Sequence, residues 1–338
     1  MTIKPGLRNS LSDIAGLTVG NAASSKLKSG VTVVLCEEPT IASVHVMGGG
    51  PGTRDTELLS PKNLVEGIDA LVLSGGSAFG LDAASGVQAM LREQGRGFAI
   101  GPVTVPIVPA AILFDLTNGG DKDWGEYPPY RELGKEAALA AREDFAIGSE
   151  GAGYGAKVAG LKGGLGTASL KLDNGITIAA LAAVNAVGSP IIADTGHFWA
   201  APFEIDGEFG NRSLPSPLPD NAAEIQIKHR TPASSIANTT IAVIATDAVL
   251  TKAQAERLAI ASHDGFARAL WPVHTPLDGD LIFSLATGKS DIVPDLNDWL
   301  DIGAYAASVM SRAIARGIYE ASSEPNDLHP SWQEKYGR

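Results

Sequence analysis

A single cysteine, Cys36, occurs in the 338-residue chain, so no disulfide can form within it. The thiol follows an apolar run at 31–35 and reads as a buried structural group. Basic residues are scarce: 26 Lys and Arg against 38 Asp and Glu leave a formal net charge of -12. Nucleic acids and anionic membrane surfaces are held by clusters of positive charge, and the sequence has none, so neither partner is expected. No run of 18 apolar residues occurs, which argues against a transmembrane helix. Residues 1–16 contain no apolar segment suited to secretion, and the expectation is a soluble, cytoplasmic protein.

Several catalytic signatures are also missing. There is no G-x-S-x-G nucleophile elbow. Gly288-Lys289-Ser290 ends like a phosphate-binding loop, but Phe283 stands where its first glycine belongs. The six histidines, His45, His197, His229, His263, His274 and His329, include no pair at metal-ligand spacing. Neither a metal nor an organic cofactor is expected.

What the chain does have is apolar content, 44%, and 39 glycines spread between apolar runs. That composition suits a folded domain with many tight turns. Residues 31–36, 43–47 and 70–73 are β-branched or apolar runs that predict strands. A helix is expected over 81–94 and another over 132–142. Residues 165–172 and 176–184 flank Asp173-Asn174-Gly175, which predicts a hairpin with a type I′ turn. The second arm is nearly all apolar, so it should be covered on both faces. Residues 201–235 are polar and proline-rich and read as an exposed connector. A strand over 241–245 follows. Thr251-Lys252-Ala253-Gln254 has the capping-box pattern and opens a helix to about 270. A strand over 281–286 and a long C-terminal helix through Ile302, Tyr305, Ala306, Val309, Met310 and Ala313 complete the list. The fold class is α+β, with sheets covered by helices in one globular unit.

Where the polar connector meets the buried strand, the chain reads Asn238-Thr239-Thr240-Ile241. A hydroxyl directly after a carbonyl can attack it through a five-membered ring. The resulting ester, once hydrolysed, leaves a threonine with a free α-amine. That amine titrates near 7.7–8.0 in model compounds and can act as base for its own hydroxyl. The plain alternative is a turn entering a sheet.

The segment 238–248, Asn-Thr-Thr-Ile-Ala-Val-Ile-Ala-Thr-Asp-Ala, resembles the processing site of the DmpA family of L-aminopeptidase/D-esterases, β-aminopeptidases and nylon-oligomer hydrolases. The likeness extends over nearly the whole chain. It includes Leu11-Ser12-Asp13-Ile14-Ala15-Gly16, Gly48-Gly49-Gly50-Pro51-Gly52, Ser74-Gly75-Gly76-Ser77, Gly151-Ala152-Gly153, Ala183-Val184-Asn185 and Asp278-Gly279-Asp280. The resemblance implies a four-layer αββα sandwich and self-cleavage between Asn238 and Thr239. The products would be an α chain, 1–238, and a β chain, 239–338, of about 25 and 10 kDa by residue share. It further implies a homo-oligomer, often a tetramer of the cleaved pair.

Residue by residue, the resemblance makes Thr239 the nucleophile, as in the nylon-oligomer branch, where most members have serine. Lys157 matches that branch's active-site lysine, and Asn185 matches an asparagine that donates to the developing oxyanion. Asp278 and Asp280 match a pair of carboxylates that would orient the hydroxyl and amine of Thr239. Phe114 stands where the characterised branches place a tyrosine, and a phenyl ring donates no hydrogen bond. The two glycine loops at 48–52 and 74–80 either line the pocket or serve only as turns. The expected activity is hydrolysis of short peptides or other small amides. An acyltransferase of the ornithine acetyltransferase type is the alternative, and a binder without turnover is a third reading.

Overall fold

The structure, a computed structural model, describes residues 4–228 and 238–337. Nine strands form one hydrogen-bonded sheet among these residues. They are β1 (Leu17–Ser24), β2 (Ser29–Val46), β3 (Thr53–Arg54), β4 (Gly67–Ser74), β5 (Ala110–Ile112), β6 (Gly164–Lys171), β7 (Thr177–Asn185), β8 (Thr239–Thr246) and β9 (Leu281–Ala286). Their order is β6-β7-β8-β9-β2-β4-β5-β3, with β1 also paired to β2. The helices are α1 (Ala83–Glu93), α2 (Tyr130–Leu139), α3 (Lys252–Ala269), α4 (Leu296–Tyr319) and α5 (Trp332–Tyr336).

The layering follows from which side chains meet. Alternate residues of β7 and β8, such as Leu181, Ala183, Ile241 and Val243, share a core with Val34, Leu71 and Leu73 of β2 and β4. Their neighbours Ala180, Ala182, Ala242 and Ile244 face α3 and α4. On the far side, Val31, Val33, Ala70 and Val72 face α1 and α2. Three apolar cores therefore separate four layers, α, β, β and α, as expected. The two sheets are not separate, however. Strand β2 is 18 residues long and belongs to both, pairing with β1 through residues 29–36, with β4 through residues 31–35 and 40–41, and with β9 through residues 41–46. A register shift between Leu35 and Thr40 marks where it passes over. Bulges bend a strand, and here the bend lets one strand serve two layers. The two strands predicted at 31–36 and 43–47 are thus one.

Local expectations hold with three corrections. Asn174 keeps a negative φ and only Gly175 is positive, at 98°, with Gly175 N–H donating to Leu172 O at 3.0 Å. The hairpin loop is therefore a type I turn closed by a glycine bulge, not type I′, because the loop has three residues. Helix α2 stops at Leu139 rather than at Arg142, since Arg142 exchanges both backbone hydrogen bonds with Val19 of β1 at 3.1 Å. The segment beginning at 201 is not uniformly exposed. Phe209 is buried against Phe198, and Lys228 N–H returns to bond Val187 O at 3.0 Å. Residues 229–235 of that predicted connector lie outside the described residues. The capping box at Thr251 and Gln254 forms as read. Cys36 is buried, and burial pushes its thiol up to about 12, so it offers no thiolate.

Between the sheets, Phe283 of β9 is fully buried among aliphatic side chains. Truncation to alanine there leaves a cavity that neighbours in two sheets cannot both collapse into. Phe283→Ala should lower the unfolding free energy by about 3–5 kcal/mol in urea titrations. A loss below about 1 kcal/mol would mean that this layer is not a packed core.

Candidate active site

The site lies where β7 ends and β8 begins, at one end of the inter-sheet layer. Asn185 is the last residue of β7 and Thr239 the first of β8, and the two are direct antiparallel partners. Both are buried, as are Asn238, Asp278 and Asp280. Nearly continuous apolar sequence in β7 and β8 keeps both strands covered, so their ends are rigidly held.

On the other side of β8, Asn238 bridges to Asp278, and Gly279 N–H donates to Asn238 O at 2.8 Å. The Thr239 hydroxyl also donates to Asn238 O, at 2.6 Å. One carbonyl oxygen therefore accepts from a backbone amide and from the hydroxyl of the next residue. Glycine is required at 279 for this closeness: a Cβ there would stand 2.7 Å from Thr239 Oγ1 and 2.6 Å from Gly50 O. The first glycine loop serves the same turn. Gly50 N–H donates to Asp278 O at 2.8 Å, Gly48 N–H to Asp280 O at 3.0 Å, and a Cβ on Gly48 would meet Asp280 N at 2.3 Å. Its function is to buttress the Asp-Gly-Asp turn through close backbone approach.

The carboxylates bind backbone and not the hydroxyl. Asp280 Oδ1 accepts Thr240 N–H at 2.7 Å, and its Oδ2 faces His274 Nδ1 at 2.9 Å. Asp278 accepts Val187 N–H at 3.0 Å, and Thr275 N–H and Oγ1–H at 2.9 and 2.7 Å. Burial, then the neighbouring Asp280, pushes the Asp278 carboxyl above its usual range.

Asn185 is fixed from three sides. Its Nδ2 donates to Phe114 O at 3.0 Å, and its Oδ1 accepts Lys157 N–H at 2.9 Å. One side-chain N–H thus goes to the backbone oxygen of Phe114, the residue that stands where the resemblance places a tyrosine. Lys157 meets the site through its backbone, while its Nζ donates to Thr117 O at 2.9 Å. Burial lowers the Lys157 pKa, partly offset by Asp115. The second lysine is Lys228, which sequence reasoning placed in an exposed connector. Its Nζ donates to Asn185 O at 2.8 Å and to Asn185 Oδ1 at 2.9 Å. Burial first, then Lys157, holds it well below the ordinary lysine value, against the pull of Asp278 and Asp280.

So the turn and strand ends bring Asn238, Thr239, Asn185, Asp278 and Asp280 together, with Lys157 at the margin. Sequence reading missed Gly279, Lys228 and His274. Gly279 was legible as the centre of its motif; Lys228 and His274 carried no local signal. His274 packs edge-on against His263, ring centroids 4.9 Å apart, and His263 against His45 at 5.1 Å. Burial, then His274, pushes His263 down to about 3, so it stays neutral at ordinary pH.

The family model for peptidase family S58 matches residues 9–327. A Mycobacterium tuberculosis protein described as an uncharacterized aminopeptidase is 42% identical over 332 residues, covering 93% of this chain and 94% of that one. A 6-aminohexanoate-oligomer endohydrolase from Kocuria sp. is 27% identical over 290 residues, covering 83% and 75%. Among solved structures, a Burkholderia sp. beta-aminopeptidase superposes with a TM-score of 0.73 at 20% identity, over 99% of this chain and 93% of that one. The L-aminopeptidase D-Ala-esterase/amidase from Ochrobactrum anthropi, described as a variant of the Ntn hydrolase fold, gives 0.69 at 20% identity, over 100% and 97%. The fold is thus that of the N-terminal-nucleophile hydrolases. The chain belongs to peptidase family S58, and it is a hydrolase acting on amide or peptide bonds. No helix among the described residues is long and apolar enough to cross a membrane.

His274 has φ of 52°, a left-handed conformation that asparagine tolerates better than most side chains. His274→Ala removes a hydrogen bond to a carboxylate and should cost about 1.5–3 kcal/mol. His274→Asn, which can keep a donor near Asp280, should lose less than half of that. Urea titration of the three proteins checks the order, and equal losses in both variants would show that the Asp280 bond contributes nothing.

Proposed function

We propose that the chain cuts itself between Asn238 and Thr239 and then uses Thr239 as an N-terminal nucleophile on short peptides or other small amides. The observation that carries this reading is the shared carbonyl. The Thr239 hydroxyl is 2.6 Å from Asn238 O, and Gly279 N–H approaches the same oxygen at 2.8 Å. A hydroxyl adjacent to a carbonyl that is already polarised by a fixed amide is arranged for an N→O acyl shift. In this reading Gly279 N–H stabilises the charge that develops on oxygen, as a preorganised donor does.

After the cut, the new α-amine of Thr239 lies beside Asn185 and the 278–280 turn. In the mature enzyme the amine takes the hydroxyl proton as Oγ1 attacks a substrate carbonyl, and returns it to the leaving amine. Asn185 would donate its remaining side-chain N–H to the substrate's developing oxyanion. Asp280 and Asp278 keep the start of β8 and the end of β7 in place through Thr240 and Val187. Lys157, beside Lys228, keeps the surroundings cationic and favours the neutral amine. The aminopeptidase description of the Mycobacterium relative supports release of an N-terminal residue. The Kocuria relative supports an ω-amino amide as a second substrate type.

Assembly of the cleaved pairs into a homo-oligomer, a tetramer by family resemblance, belongs to this proposal. A hairpin leaving Phe98, Ile100, Val103 and Val105 exposed supports association of copies. Sedimentation of the processed protein as a single α–β pair would refute it.

Intact-mass spectrometry tests the central claim. Wild type should give two chains of about 25 and 10 kDa, the smaller beginning at Thr239, and Thr239→Ala should give one. Two chains in both samples would point to an external protease. Product analysis on a dipeptide amide, with and without an acceptor amine, separates hydrolysis from acyl transfer: hydrolysis predicts free amino acid at an unchanged rate.

A further inference from the structure

The base used in turnover does not exist before the chain is cut. In the uncut chain the Thr239 nitrogen is part of the peptide bond to Asn238, without basicity. Self-cleavage therefore needs another group to accept the hydroxyl proton. The two carboxylates are poorly placed for it. Ile282 of β9 faces the α3/α4 core while Leu281 and Phe283 face the inter-sheet core, so Asp280 lies on the α3/α4 side with His274 and His263. Both Asp280 oxygens and both Asp278 oxygens already accept hydrogen bonds. Lys157 directs its ammonium to Thr117 O.

We propose that Lys228 is the general base of self-cleavage, acting on the Thr239 hydroxyl; this rests on the reading of Thr239 as the nucleophile. Asn185 and Thr239 are opposite one another in an antiparallel pair, so their side chains leave the same face with Cβ atoms about 4.5–5.5 Å apart. That face is the inter-sheet one, since Ala183 and Ile241, the next pair inward on it, lie in that core. Lys228 Nζ rests on Asn185 Oδ1 and is thereby held over the nucleophile's own face. Its backbone is pinned at Val187 O, so the side chain has a fixed origin. A neutral amine has two N–H groups and one lone pair. The two N–H groups match Asn185 O and Oδ1, and the lone pair is left for the incoming O–H. Burial and the nearby Lys157 favour this neutral form, while Asp278 and Asp280 oppose it.

The proton balance closes without any further reactant than water. Lys228 Nζ takes the Thr239 Oγ1 proton as Oγ1 bonds to the Asn238 carbonyl carbon. The oxyanion rests on Gly279 N–H. Protonated Lys228 then gives its proton to the Thr239 nitrogen as the C–N bond breaks, leaving an ester on Oγ1 and a free amine. Water hydrolyses the ester to the Asn238 carboxylic acid and the Thr239 hydroxyl, and the acid's proton passes to solvent as it ionises to the carboxylate. Lys228 ends neutral, as it began, and lies on the α chain.

The test follows self-cleavage of the full chain over time by intact mass, across a pH series. Lys228→Met should slow cleavage by about 10²–10⁴-fold, the range for loss of a general base. Lys228→Arg, which keeps length and charge but stays protonated, should be equally slow. Added ethylamine should restore part of the Lys228→Met rate in proportion to its free-base form. In wild type the rate should rise with pH through an ionisation below the ordinary lysine value, and that dependence should vanish in both variants. Matching melting curves for Lys228→Met and uncut Thr239→Ala would confirm an intact fold. Cleavage of Lys228→Met within about threefold of wild type, or of Lys228→Arg at the wild-type rate, overturns the assignment, because general-base loss costs far more. A slow Lys228→Met that ethylamine does not help, with an unchanged pH profile, also overturns it. Cutting of Thr239→Ala is a separate result and sinks the nucleophile reading instead.

Discussion

The site depends on one carbonyl oxygen, that of Asn238, held between the Gly279 amide and the Thr239 hydroxyl. A peptide carbonyl at a strand entry normally finds one partner in the neighbouring strand. Here the partner is a turn, and the turn is anchored by backbone contacts to Gly48 and Gly50. The absence of side chains at 48 and 279 lets three stretches of backbone converge where ordinary residues would collide. The rigidity comes from burial: β7 and β8 are covered on both faces, so the ends they present cannot relax away from one another.

Polar groups around that carbonyl are satisfied in a way that separates duties. On the side of α3, Asp280 joins the His274 ring to the Thr240 amide, and Asp278 joins Thr275 to Val187. On the inter-sheet side, Asn185 gathers Phe114, Lys157 and Lys228. Carboxyl groups thus lie behind the strand and amine groups before it. A neutral amine is favoured near cations and disfavoured near carboxylates, so this division sets where a base can work.

Much of the fold was legible because period and punctuation are strong in this chain. The capping box at Thr251, the apolar runs of β7, β8 and β9, and the stripe on α4 all lie where the sequence places them. What could not be read locally was long-range. That residues 31–36 and 43–47 form one strand shared by two layers depends on partners far away in sequence. Helix α2 ends early because Arg142 is captured by Val19. The candidate site divides similarly. Thr239, Asn185, Asp278 and Asp280 sit within recognisable motifs. Lys228 lies in a polar stretch with nothing to mark it, and its importance arises only from where the chain returns. His274 acts through Asp280 and is equally unmarked.

The strand order carries a consequence for a chain severed before β8. The segment 239–338 supplies β8 and β9, and these sit between β7 and β2, which both belong to the segment 1–238. The smaller piece is therefore an inserted wedge, zipped along both of its edges and roofed by its own α3 and α4. Losing one covalent link leaves it nowhere to go: dissociation would mean opening the sheet at two seams at once, which is equivalent to unfolding the domain. Such a nick creates a new chain terminus without creating a new subunit free to leave.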